Sequence, residues 1–151
     1  MSADRADALI RALGHAVGID DLSLDDGGTC TLSMDDVVLT LELDEGEDRL
    51  VLYTVLGPLP AEGHAELFAR LLEGNLFWKG THGATLALDR RGARALLLRA
   101  VSLDAPPAGF PNLVERFMDA AEAWREVIAT AFGAVPEPAA TGPFIDPTCF
   151  A

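Results

Sequence analysis

Basic residues are scarce: 11 Lys and Arg stand against 24 Asp and Glu, a formal net charge of −13 over 151 residues. Nucleic-acid binding depends on clustered Lys and Arg that neutralise phosphates. This balance therefore excludes nucleic acid and favours a basic or weakly charged partner. Cysteine is also sparse, with Cys30 in a strand-like run and Cys149 in a Pro-rich tail. That placement argues against a structural disulfide and for a cytosolic protein. Half of the chain is hydrophobic, yet no run approaches the roughly 20 apolar residues of a membrane-spanning helix. No membrane partner is expected. Met1–Arg11 is charged and helix-forming, without the basic start, apolar middle and small-residue cleavage site of a secretory signal.

Catalytic and metal signatures are thin as well. His15, His64 and His82 are the three histidines, and none stands at metal-ligand spacing with another His or Cys. His82 in Gly80-Thr81-His82-Gly83 has no Gly-x-Ser-x-Gly elbow or cysteine nucleophile to accompany it. Gly74 to Gly83 lacks the Lys-Ser/Thr of a phosphate loop. Asp25-Asp26 and Asp35-Asp36 read as acidic turns, because Asp favours turns, and Asp20 to Asp26 lacks the ligand order of a calcium loop. The expectation is no catalytic residue, no metal and no cofactor. The enzymatic rival would assemble a site from His82, Asp89 and Arg91, and a constellation of that kind is what function requires.

What is present is a regular alternation of patterns. Ala6, Leu9, Ile10, Leu13 and Val17 share one helical face. Ser2 is a candidate cap, and Gly14 and Gly18 weaken and then end the helix. Cys30, Leu32 and Met34 alternate with Thr29, Thr31 and Ser33, and Val37 to Asp44 alternates likewise after the tight Asp35-Asp36 connection. Beyond Glu45-Gly46-Glu47-Asp48, Leu50 to Val55 is apolar on both faces, completing a three-stranded meander. Gly57-Pro58-Leu59-Pro60 breaks the pattern before a helix over about Ala61 to Leu76. Two strands follow, Ala84–Asp89 and Ala95–Val101, joined around Arg90-Arg91-Gly92. Asn112 and Glu115 have capping-box spacing before a last helix marked by Leu113, Phe117, Ala121, Trp124 and Ile128. The prediction is one α+β domain over residues 1–132, ordered α-β-β-β-α-β-β-α with an antiparallel sheet, and a flexible Pro-rich tail at 133–151.

Charge follows this order unevenly. Residues 1–48 hold 13 carboxylates and two basic residues, Arg5 and Arg11. The first helix and the meander thus carry most of the negative field, which serves solubility and can also steer a partner.

The most distinctive segment is Leu71-Leu72-Glu73-Gly74-Asn75-Leu76-Phe77-Trp78-Lys79-Gly80-Thr81-His82-Gly83-Ala84-Thr85-Leu86-Ala87-Leu88-Asp89. A helix ends, aromatic residues cluster at the turn, and a Gly-relieved loop feeds a strand. It resembles the helix-to-strand signature of class I type III secretion chaperones, the CesT/Tir-chaperone family, and the element order from Ala3 to about Phe132 resembles that family too. The resemblance implies a bacterial cytosolic homodimer that binds the N-terminal region of a secreted effector in extended form, without ATP hydrolysis, with the export apparatus as a further partner. It places the dimer interface at Phe68, Leu72, Asn75, Leu76, Trp78, Leu86 and Leu88, while Leu71 and Phe77 are expected in the monomer's own core. It places client contacts on the first helix and the meander, at Leu9, Leu13, Leu32, Met34 and Val38, each of which would otherwise be ordinary core. A regulatory binding protein with the same dimer fold and no secretion role is the alternative.

Overall fold

The computed structural model describes residues 1–132. The expected tail at 133–151, with Cys149, lies outside the described residues. Helix α1 spans Ser2–Val17, strands β1 Thr29–Met34, β2 Val37–Asp44 and β3 Arg49–Pro58, helix α2 His64–Gly74, strands β4 Thr85–Asp89 and β5 Arg94–Ser102, and helix α3 Phe110–Phe132. This is the predicted α+β order, built on one sheet of strand order β1-β2-β3-β5-β4 with every pairing antiparallel.

Alternation decides which side chains meet the helices. Cys30, Leu32, Leu39, Leu41, Leu50, Leu52, Leu56, Ala95 and Leu97 all point to one face and join a single core cluster. Register enforces this, since Cys30 stands opposite Leu41, and Leu41 opposite Leu52, and directly opposed residues share a face. Helix α3 lies across β3 and β2 on that face, with α1 packed against α3. Ala6, Leu9, Ile10 and Leu13 of α1 and Val114, Phe117, Ala121 and Ile128 of α3 complete the cluster. Val51, Tyr53 and Leu96 are buried on the opposite face, outside that cluster, and Val38, Val55 and Leu98 are half-buried there.

Several local expectations changed in the folded chain. Gly18 does end α1, in the left-handed conformation at φ +77°, which glycine adopts without a Cβ penalty. Ser2, however, donates its hydroxyl to Asp48 at 2.7 Å instead of capping α1. Arg5 donates to both Asp48 and Asp104 at 2.7 Å, tying α1 to the β2–β3 turn and to the residues after β5. Strand β3 continues through Gly57 and Pro58, which pair with Ala95 and Arg94 after an irregularity at Leu56. Helix α2 is shorter than expected, starting after Gly63 at φ +79°. Helix α3 begins at Phe110 after a 3-10 turn, so Asn112 and Glu115 lie inside it and cap nothing.

Candidate protein-docking site

Helix α2 buries Leu67 and Leu71, a narrow apolar stripe that rests beside the edge strand β4. It stops at Gly74, where an added Cβ would collide with the Trp124 indole and with Leu86. The chain then turns through Leu76–Trp78 in a 3-10 turn, with Phe77 at φ +54° and Trp78 at φ +53°. A left-handed backbone costs an L-residue about 1–2 kcal/mol, and bulky residues there demand support from their surroundings.

That support is visible as hydrogen bonds. The Asn75 side chain donates to the Leu86 carbonyl at 3.1 Å and accepts from the Leu86 amide at 2.7 Å. Trp124 Nε1 of α3 donates to the Gly80 carbonyl at 2.9 Å, and its ring lies under the Arg70 guanidinium of α2 at 5.7 Å. Thr81, fully buried, donates its hydroxyl to the Ala84 carbonyl at 2.6 Å. The Gly83 amide closes the loop on the Trp78 carbonyl at 3.2 Å.

The consequence is a patch. Leu72 is 71% exposed, Leu76 66%, Phe77 73% and Trp78 54%. Apart from these, only Met1, Val17 and Ile19 are exposed large hydrophobics among the described residues. Single exposed apolar residues are ordinary. Four within one short segment, on a turn the fold holds in strained form, make a candidate interaction surface.

The residues expected at a dimer interface occupy different environments. Leu72, Leu76 and Trp78 form this patch. Asn75 sits beneath it with its amide engaged by Leu86, and Leu86 is in the core while Phe68 and Leu88 pack half-buried against the core. Leu71 is in the core as expected, but Phe77 is not: it is the most exposed member of the patch. The signal for this lay in the run Leu76-Phe77-Trp78 directly after Gly74-Asn75, because a helical turn cannot turn three successive side chains inward.

The residues expected to meet a client also divide. Leu9, Leu13 and Leu32 are 0%, 1% and 5% exposed and fill the core, so they offer no surface. Met34 is half-buried against the same core cluster. Val38 alone of the five faces the opposite side of the sheet, where it is half-buried. The β1 edge beside it bonds outward at Thr29, whose amide and carbonyl meet Asp25 at 2.9 and 2.8 Å. Near the same hairpin, a cleft is lined by Asp35, Asp36, Glu122, Arg125 and Glu126, with Arg125 donating to the Asp36 carbonyl at 2.6 Å.

His82 and Asp89 stand at opposite ends of β4 with separate partners. The His82 carbonyl accepts from Arg99 at 2.6 Å. Asp89 accepts from the Gly92 amide at 3.1 Å and from Arg94 at 3.2 Å, and these bonds, the Gly92 one foremost, lower its carboxyl below the ordinary range. The two side chains are not drawn into one constellation. Among the described residues no group of three or more His, Cys, Asp or Glu could hold a metal.

The family model of the Tir chaperone protein (CesT) family matches residues 8–125. The chain belongs to the CesT family. A Chlamydia pneumoniae relative, CPj0713/CpB0740, is 33% identical over 118 residues, covering 77% of this chain and 90% of the relative. The ExsC–ExsE complex is similar at a TM-score of 0.71 and 22% identity, covering 85% of this chain and 97% of that one. The HopA1–SchA chaperone–effector complex is similar at 0.68 and 23%, covering 83% and 97%. The ExoT–SpcS complex from Pseudomonas aeruginosa matches at 0.62 and 22%, covering 79% and 96%. At these identities the solved structures show the fold that this chain shares with them.

Proposed function

We propose that this chain is a type III secretion chaperone that binds the N-terminal segment of a secreted effector in extended form, as a homodimer joined through Leu72, Leu76, Phe77 and Trp78. The exposed patch at the end of α2 carries the reading, because a protein that worked as a monomer would gain nothing from presenting it. CesT-family membership and the chaperone–effector relatives supply the kind of client.

The two sheet edges suggest where a client runs. At the β4 edge, the main-chain groups of Leu86 are already bonded to Asn75. Edge β1, at the other end of the sheet, is likewise occupied at Thr29 by Asp25, so a strand of another chain extending it would run along Thr31–Met34. It lies in the acidic first third, beside Val38 and the acidic cleft. An extended segment loses about 2–5 kcal/mol or more in ordering on binding, so separated apolar contacts must supply most of the grip. Acidic side chains speed the encounter, an effect that salt screens.

Co-expression with candidate effectors truncated to their N-terminal segments, followed by light scattering, tests the proposal. A complex of two chains with one segment is expected. A monomer that ignores every such segment and binds only folded proteins would overturn it in favour of a regulatory binding protein.

A further inference from the structure

Resting on the self-association reading above, we propose that Asn75 is a positioning residue: its side chain takes the place of a neighbouring strand on the outer edge of β4 and thereby presets the docking patch. Strand β4 has β5 on one side and ends the sheet on the other. The amide and carbonyl of Leu86 both reach the Asn75 side chain, at 2.7 and 3.1 Å. A carboxamide carries one acceptor and a donor group in the plane of a peptide unit. It therefore reproduces the paired bonds that an antiparallel strand would make to Leu86.

Two consequences follow from that substitution. First, a strand from a second copy cannot extend the sheet at Leu86 without displacing Asn75, so the subunits join through side chains and not through β4 edges. Second, Asn75 directly precedes Leu76, and its own amide still bonds back to the Leu71 and Leu72 carbonyls at 3.2 Å. The residue is thus fixed at once to the end of α2 and to β4. The chain that leaves it must enter the left-handed turn at Phe77 and Trp78. Without the Leu86 bonds that turn loses its anchor to β4 and keeps only those to the loop and α3, and only the fraction of molecules still presenting the patch can associate.

Sedimentation of wild type, Asn75→Ala and Asn75→Asp, with hydrogen exchange at Leu86 read in a monomeric Leu72→Asp background, tests this. Asn75→Ala is expected to weaken self-association about tenfold, as expected when roughly a third of each partner stays competent. It should also expose the Leu86 amide to exchange while core amides such as Leu52 keep their protection. Asn75→Asp retains the acceptor for the Leu86 amide and should fall between. Unchanged Leu86 exchange in Asn75→Ala would overturn the proposal, as would unchanged self-association once that protection is lost. A wild type that sediments as a monomer at every concentration overturns the self-association reading instead, and the preset turn with it as a docking device. Leu86 exchange then still shows whether Asn75 holds the edge.

Discussion

Replacing Leu72 by Asp separates the stability of the folded chain from its self-association. Leu72 is 71% exposed, so its apolar surface leaves water only when a partner covers it. Full burial of a Leu side chain is worth about 1.5–3 kcal/mol, and a twofold interface uses each residue twice. The substitution therefore removes about 3–6 kcal/mol from association, roughly a 10²–10⁴-fold rise in the dimer Kd. An exposed position changes the folding free energy of the subunit by only about 0.5 kcal/mol in either direction. Sedimentation velocity across a concentration series reads the first quantity, and urea denaturation of the monomer reads the second. A mutant that stays dimeric at the wild-type concentration would remove Leu72 from the interface. A mutant that loses several kcal/mol of urea stability would show the side chain to be core after all.

Three further predictions concern the surroundings of the patch and the sheet. Gly74→Ala places a Cβ against Trp124 and Leu86 and should cost about 1–3 kcal/mol by overpacking, read as a lower urea midpoint with an unchanged m-value. Burial raises the Glu42 carboxyl above its ordinary range, a shift the Tyr53 hydrogen bond only partly opposes. The folded chain then binds that proton more tightly than the unfolded one, so this contribution to stability is present at low pH and fades as pH rises through the raised range. Glu42→Gln should accordingly be neutral or stabilising at pH 7 and should lose that low-pH contribution, so that its stability relative to wild type falls as pH drops; a clear loss at neutral pH would contradict it. Cys30 is buried with its thiol pushed up to about 11, mainly by desolvation and then by Asp25. In a Cys149→Ser background it should resist thiol reagents at pH 8 until the chain unfolds, and rapid labelling of the native protein would refute that placement.

The periodic part of the fold was legible because its cause is local. Two-residue alternation in Thr29–Met34 and Val37–Asp44 predicted both strands, and register then followed from the short Asp35-Asp36 turn. Non-local causes were not legible. Gly57 and Pro58 look like a break, yet pairing to Ala95 and Arg94 keeps them in β3. Ser2 looks like a cap, yet Asp48 lies close enough to take its hydroxyl. The docking site shows the same division. The segment Leu71–Asp89 announced itself, and Leu72, Leu76 and Trp78 could be picked out on it. Phe77 was assigned to the core, although three successive apolar residues after Gly74-Asn75 cannot all turn inward; the left-handed turn that lifts it outward has no signature of its own in the sequence. Leu9, Leu13 and Leu32 were ambiguous for the opposite reason, since an apolar face of a helix or strand serves a core and a groove equally well.

The central claim is that this chain grips an extended polypeptide and leaves it unfolded. Hydrogen exchange on an isotopically labelled effector N-terminal segment, free and bound to the protein, tests that claim most directly. Protection confined to short stretches that touch the chaperone, with no cooperative core in the bound segment, is the predicted result. A bound segment that acquires a globally protected, cooperatively melting core would contradict it.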